Sequence, residues 1–162
     1  MLDRTITILA SASVLSMPSG LSAQSANPTP RDDFILNAWS DPSDCNLDNA
    51  KKVSFLDLAA DASNLLGDCV SVEGYWRGRA LFGSIRQAKR SRSTTTDRLR
   101  GERIGLYAQW DRVGEPPDIP TKTIFVGRVG QCETQWPEAM MVMGYCHYTG
   151  GPILLVSESK PS

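Results

Sequence analysis

Hydrophobic positions along the chain change period near residue 68. Before it, Phe55, Leu58, Ala62, Leu65 and Leu66 recur at three- and four-residue steps, the spacing that lines one face of a helix. Ser54 precedes this run and Asp57 follows three residues later, an acidic form of the capping box. The helix therefore opens at Ser54, and Gly67 closes it after about three turns. From Cys69 the period is two. Val70, Val72 and Trp76 alternate with Ser71, Glu73 and Tyr75, which predicts a strand buried on one side. Gly74 interrupts this strand and predicts a bulge or a sharp bend. Arg77-Gly78 reads as a turn, and further strands are predicted over 80–84, 103–107, 123–129 and 153–156. Residues 86–102 are polar and basic and read as a long loop. The Gly114-Glu-Pro-Pro-Asp-Ile-Pro120 stretch reads as a rigid connection, and residues 135–141 as a turn or short helix near Trp136.

One helix followed by five or six short strands with glycine kinks is the pattern of a small, strongly bent barrel. The predicted fold class is mainly β with one N-terminal helix and a five- to six-stranded OB-like barrel. The stretch 68–158 resembles the OB-fold (oligonucleotide/oligosaccharide-binding). Val70-Ser-Val-Glu-Gly74 stands as its bent first strand, and Ile124-Phe-Val-Gly-Arg-Val129 leads into Ile153–Val156 at its end. The resemblance implies a ligand face on the second and third strands and their flanking loops. This chain shows no clear helix between the third and fourth strands, where that fold usually has one.

The N-terminal pattern adds an address. Thr5–Met17 is apolar and uncharged, Pro18 breaks it, and Ala23 offers a small residue for cleavage, so residues 1–23 read as a secretory signal peptide. The run is too short for a membrane span. Residues 24–52 read as a flexible, irregular acidic leader, and 53–158 as the helix-plus-barrel domain. The expected location is periplasmic or secreted, with no transmembrane segment in the mature chain. Four cysteines, Cys45, Cys69, Cys132 and Cys146, allow three pairings. Cys45–Cys69 and Cys132–Cys146 are expected, tying the leader to the strand after the helix and closing an excursion between two strands. The rival reading is a zinc site, but the cysteine spacings lack the close pairs of a zinc knuckle.

Charge divides the chain. Residues 32–73 hold nine acids against Lys51 and Lys52, whereas 77–104 hold nine bases against Asp97 and Glu102. Eight of those nine bases are arginine, which favours bidentate recognition of carboxylate or phosphate. Tyr75, Arg77, Arg79, Arg86, Arg90, Arg92 and Tyr107 are the candidate ligand-binding residues, the two tyrosines as stacking surfaces. Trp76 is expected in the core. The bland reading of the basic segment is a solvated loop that balances the acidic half. A net charge of −1 argues against general nucleic-acid binding.

The motifs of several enzyme classes are missing. A single histidine, His147, removes H-E-x-x-H, three-histidine zinc and two-histidine acid/base arrangements. There is no P-loop, G-x-G-x-x-G, G-x-S-x-G or C-x-x-C. No cofactor is expected. The favoured reading is an exported, disulfide-stabilised, non-catalytic binding module for an anionic ligand or an envelope protein. The alternatives are a small periplasmic hydrolase using His147 with Glu73, and a structural or assembly protein of the cell envelope.

Overall fold

A computed structural model describes residues 38–90, 102–136 and 143–162 of the chain. The expected signal peptide, Arg92 and the serine- and threonine-rich stretch around it lie outside the described residues. In chain order the elements are β1 (Lys51–Val53), α1 (Phe55–Ala60), β2 (Cys69–Arg77), β3 (Ala80–Phe82), α2 (Ile85–Arg90) and β4 (Arg103–Tyr107). They continue with α3 (Trp110–Val113), β5 (Thr121–Gln131), α4 (Cys132–Gln135), α5 (Tyr145–Tyr148) and β6 (Pro152–Pro161).

Five strands close on themselves in the order β2-β3-β4-β6-β5 and back to β2, and β1 adds a sixth outside the ring. The β4–β6 pair is parallel, and the other barrel pairs are antiparallel. This closed mixed barrel is OB-like, as the strand pattern predicts. β2 is the shared strand. Residues Cys69–Trp76 pair with β5 along one edge. Its other edge is divided, with β1 beside Val70–Val72 and β3 beside Tyr75–Arg77.

Alternation explains what fills the barrel. Val70, Val72 and Trp76 from β2 meet Leu81, Ile104, Leu106, Phe125, Val129, Leu154 and Val156, all buried. Trp76 meets Phe125 edge-on at 5.2 Å and stacks on Trp110 of α3 at 6.3 Å, and its indole N–H donates to the Gly78 carbonyl. The opposite faces of β3, β4 and β6 carry a second apolar cluster of Ala80, Phe82, Tyr107 and Ile153, covered by Ala88 from α2 and Tyr145 from α5.

Gly74 is not a bulge. The β2–β5 register runs unbroken through it. A Cβ there would come within 2.8 Å of Leu81 and of the Phe82 carbonyl, so Gly74 serves the close approach of β3. The bulge lies between β5 and β6, where Ser157 is the extra residue between partners Val126↔Glu158 and Gly127↔Val156. Its hydroxyl donates to the Val126 carbonyl.

The helix before β2 is shorter than its periodicity predicts. Ser54 caps it, accepting from the Asp57 amide and donating to the Asp57 carboxylate. It stops at Ala60 because Asp61 leaves helical geometry, with φ −137° and ψ 43°, and its carboxylate takes the Asn64 side chain instead. One 3-10 turn over Ala62–Leu65 follows. Gly67, at φ +82°, then ends the segment, and its amide donates to the Val129 carbonyl. The stretch expected to be a loop after residue 85 opens instead as α2, whose Ser84 accepts from the Gln87 amide. The β4–β5 connection, where no helix is evident in the sequence, holds the single turn α3, fastened to β6 by Ser159 donating to the Val113 carbonyl.

Both expected disulfides are present, Cys45–Cys69 and Cys132–Cys146, which uses the four sulfurs that a zinc site would need. Residues 38–50 are turns laid on the barrel. Ser40 donates to the Leu155 carbonyl and accepts from the Arg128 amide, and Cys45 is fully buried. Two such bridges fit an oxidising compartment. Among the described residues no helix is long and apolar enough to cross a membrane.

Replacing both Cys45 and Cys69 by serine lowers stability by about 3 kcal/mol, the chain-entropy value for a loop of this length. The midpoint of urea unfolding reads the loss.

Candidate functional site

The turn between β2 and β3 places two arginines at the mouth of the barrel. Arg77 is the last residue of β2, Gly78 turns the chain at φ +55°, and Arg79 follows. Arg103 opens β4 on the neighbouring strand. With Gly78, Ala80, Pro117, Asp118, Met143, Gly144, Tyr145 and Thr149 they line a cleft of about 490 Å³. Its walls come from the β2–β3 turn, β4, the β4–β5 connection and the β5–β6 excursion. That is the region where OB barrels hold ligands.

The three arginines are held differently. Arg77 donates to the Ala88 and Lys89 carbonyls at the C-terminal end of α2 and so joins that helix to the barrel. Arg79 is exposed. Arg103 lies 5.2 Å from the centroid of the Tyr145 ring, a cation–π contact. Among the described residues none of the three forms an ion pair with a carboxylate.

Tyr145 is the keystone of the inner wall. Its ring lies against the backbone of Gly105, where an added Cβ would meet the ring at 2.2 Å. Arg103 and Gly105 are two residues apart on one face of β4, so a single ring covers one and touches the other. The Tyr145 backbone carbonyl accepts from Thr149. Cys146, the next residue, is tied to Cys132 at the end of β5. Its amide donates to the Tyr107 hydroxyl, which in turn donates to the Met143 carbonyl. Tyr107 thus fastens both ends of the short segment that carries Gly144 and Tyr145. Burial raises the phenol pKa of both Tyr107 and Tyr145 above the usual tyrosine value of 10.0.

Of the expected ligand-binding residues, Arg77 and Arg79 line this cleft. Arg86 and Arg90 sit exposed on α2 and do not line the cleft. Tyr75 is half-buried against the outer cluster. Tyr107, expected as a stacking surface, is only 4% exposed, and its ring packs against Trp136 at 5.0 Å. The outer face of β4 that would offer it to a ligand is covered by the chain's own β5–β6 excursion. Trp76 is in the core, as expected.

Glu73 pairs with Lys122 at 2.8 Å and accepts from Ser162. The Lys122 bond, then that from Ser162, holds its carboxyl below the usual range. It borders a separate hollow with Lys52, Ser71 and Ile124, whose lining does not include His147. His147 is exposed on α5.

Sequence reasoning missed Arg103, Tyr145 and Asp118. The clue to the first two lay in Arg103-Ile-Gly105, where a glycine two residues from an arginine leaves room on one strand face for a ring.

Gly105→Ala forces the Tyr145 ring from its seat and costs about 1–3 kcal/mol as overpacking, read from thermal or urea unfolding. A second outcome concerns alkali. Unfolded tyrosines ionise near pH 10.0, whereas Tyr107 and Tyr145 keep their protons to higher pH in the fold. The folded state then binds more protons than the unfolded one, so stability is full below pH 10.0 and falls as pH rises through the folded values. Melting curves taken from neutral pH to about pH 11 show this fall, and the Tyr107→Phe variant reduces it.

Protein-family models, curated proteins and solved structures were compared with the chain, and none matches.

Proposed function

We propose that this protein is an exported, periplasmic or secreted, non-catalytic binding module whose cleft takes the oxyanion of a ligand. The observation that carries the reading is the meeting of Arg77, Arg79 and Arg103 in one cleft with no carboxylate paired to them among the described residues. Guanidinium groups are the donors that carboxylates and phosphates select.

The size of the cleft favours a small ligand, or the end of a larger one, over an extended polymer. The covered outer face of β4 supports the same choice, because its Tyr107 ring is packed against Trp136 and is closed to stacking by a base. Export rests on the two disulfides and on the leader pattern of residues 1–23.

Citrate serves as a general oxyanion probe. Titrated into the isotope-labelled protein, it shifts the amides of Gly78, Arg79 and Gly144, and Arg79→Glu weakens its binding at least about tenfold. Shifts confined to α2 around Arg86 and Arg90, with no effect of Arg79→Glu, would place anion binding on the exposed helix and remove this reading.

A further inference from the structure

The cleft is not uniformly cationic. Asp118 lines it together with the arginines, on the connection between β4 and β5. The Gly78 amide donates to the Pro117 carbonyl at 3.1 Å, which holds that connection beside the arginine-bearing turn. Yet among the described residues Asp118 forms no ion pair with Arg77, Arg79 or Arg103. A carboxylate and three guanidinium groups thus share one small space without neutralising each other. Ala80, Pro117, Tyr145 and Met143, the last 40% exposed, add apolar surface between them.

A ligand bearing only negative charge would satisfy the arginines and be repelled by Asp118. One bearing only positive charge would meet the reverse. A ligand with both charges and an apolar body fits every group present. Taking the anion-binding reading of the cleft as given, we infer that its ligand is a compact zwitterion, an α-amino acid or short peptide with a free carboxylate and a free ammonium group. Arg79 and Arg103 receive the carboxylate, Asp118 receives the ammonium group, and the apolar lining receives the side chain. Arg77, committed to the carbonyls of α2, supplies positive potential from behind. Tyr145 acts as a positioning residue, since its ring holds the Arg103 guanidinium in place.

Calorimetric titration of the disulfide-bonded protein with L-leucine, L-leucyl-L-leucine, N-acetyl-L-leucine and citrate tests this. Leucine or the dipeptide binds, and N-acetyl-L-leucine, which lacks the ammonium group, binds at least about tenfold more weakly than leucine. Tighter binding of the dipeptide than of leucine identifies a peptide as the source of the chemistry, and the reverse order a free amino acid. Asp118→Asn abolishes the discrimination between leucine and its acetylated form. Asp118 is exposed on a loop, so this variant retains the fold, which a melting curve confirms. Arg79→Gln and Arg103→Gln weaken leucine and N-acetyl-L-leucine alike. Equal affinities for the two leucine probes, or discrimination that survives Asp118→Asn, overturn the inference. Citrate binding without either zwitterion also overturns it and leaves the anion-binding cleft standing. If citrate fails as well, both readings fall together.

Discussion

A missing side chain at Gly105 decides what lies on the outer face of the barrel. On a strand so short, any larger residue there would occupy the space that the Tyr145 ring now fills. With the ring seated, Arg103 has a surface to lie against, the second apolar cluster has a lid, and Tyr107 lies close enough to hold the backbone on both sides of Gly144 and Tyr145. The Cys132–Cys146 bridge restricts the excursion from which Tyr145 comes, so less chain entropy is lost when the ring docks. Packing, cross-link and charge therefore converge on one ring.

The consequence for recognition is a change of surface. In a barrel of this topology, the face built by β3 and β4 would ordinarily be open to ligands. Here the protein covers much of it with its own aromatic residues. What remains is the rim, where the β2–β3 turn and the β4–β5 connection meet the excursion. On the proposed binding reading, a rim cleft takes a group of limited size and selects it by a few charges rather than by a row of stacked rings.

Much of this fold can be read from residue order because the barrel strands obey a strict two-residue period. Val70, Val72 and Trp76 announce their shared side, and they do line the core. Of the three pairings open to the four cysteines, the structure has the one expected, each bridge joining segments on either side of a helix or of an excursion between strands. The failures have a common physical origin. Tyr107 has the alternation of an outward residue and does point outward, but a segment some forty residues later buries it. Alternation reports which face a side chain takes and cannot report what later packs on that face. α2 is hidden for a related reason. Six residues of mostly polar chain carry no apolar stripe, and one clasp on the helix comes from Arg77, outside it. The arginines at the β2–β3 turn are legible as charge. Their convergence with Arg103 depends on the β3–β4 pairing, and the meeting with Asp118 on a connection distant in sequence.

The divided edge of β2 bears on how the molecule tolerates company. A closed ring of strands offers a neighbouring chain no ladder to extend, and among the described residues the one strand beyond the ring, β1, is three residues long with two lysines at its start. Short length and positive charge are the two features that most discourage edge-to-edge pairing between copies. More than half of the main core cluster is valine, isoleucine, phenylalanine or tryptophan, residues of high strand propensity, so an unguarded edge beside it would be a ready template for pairing.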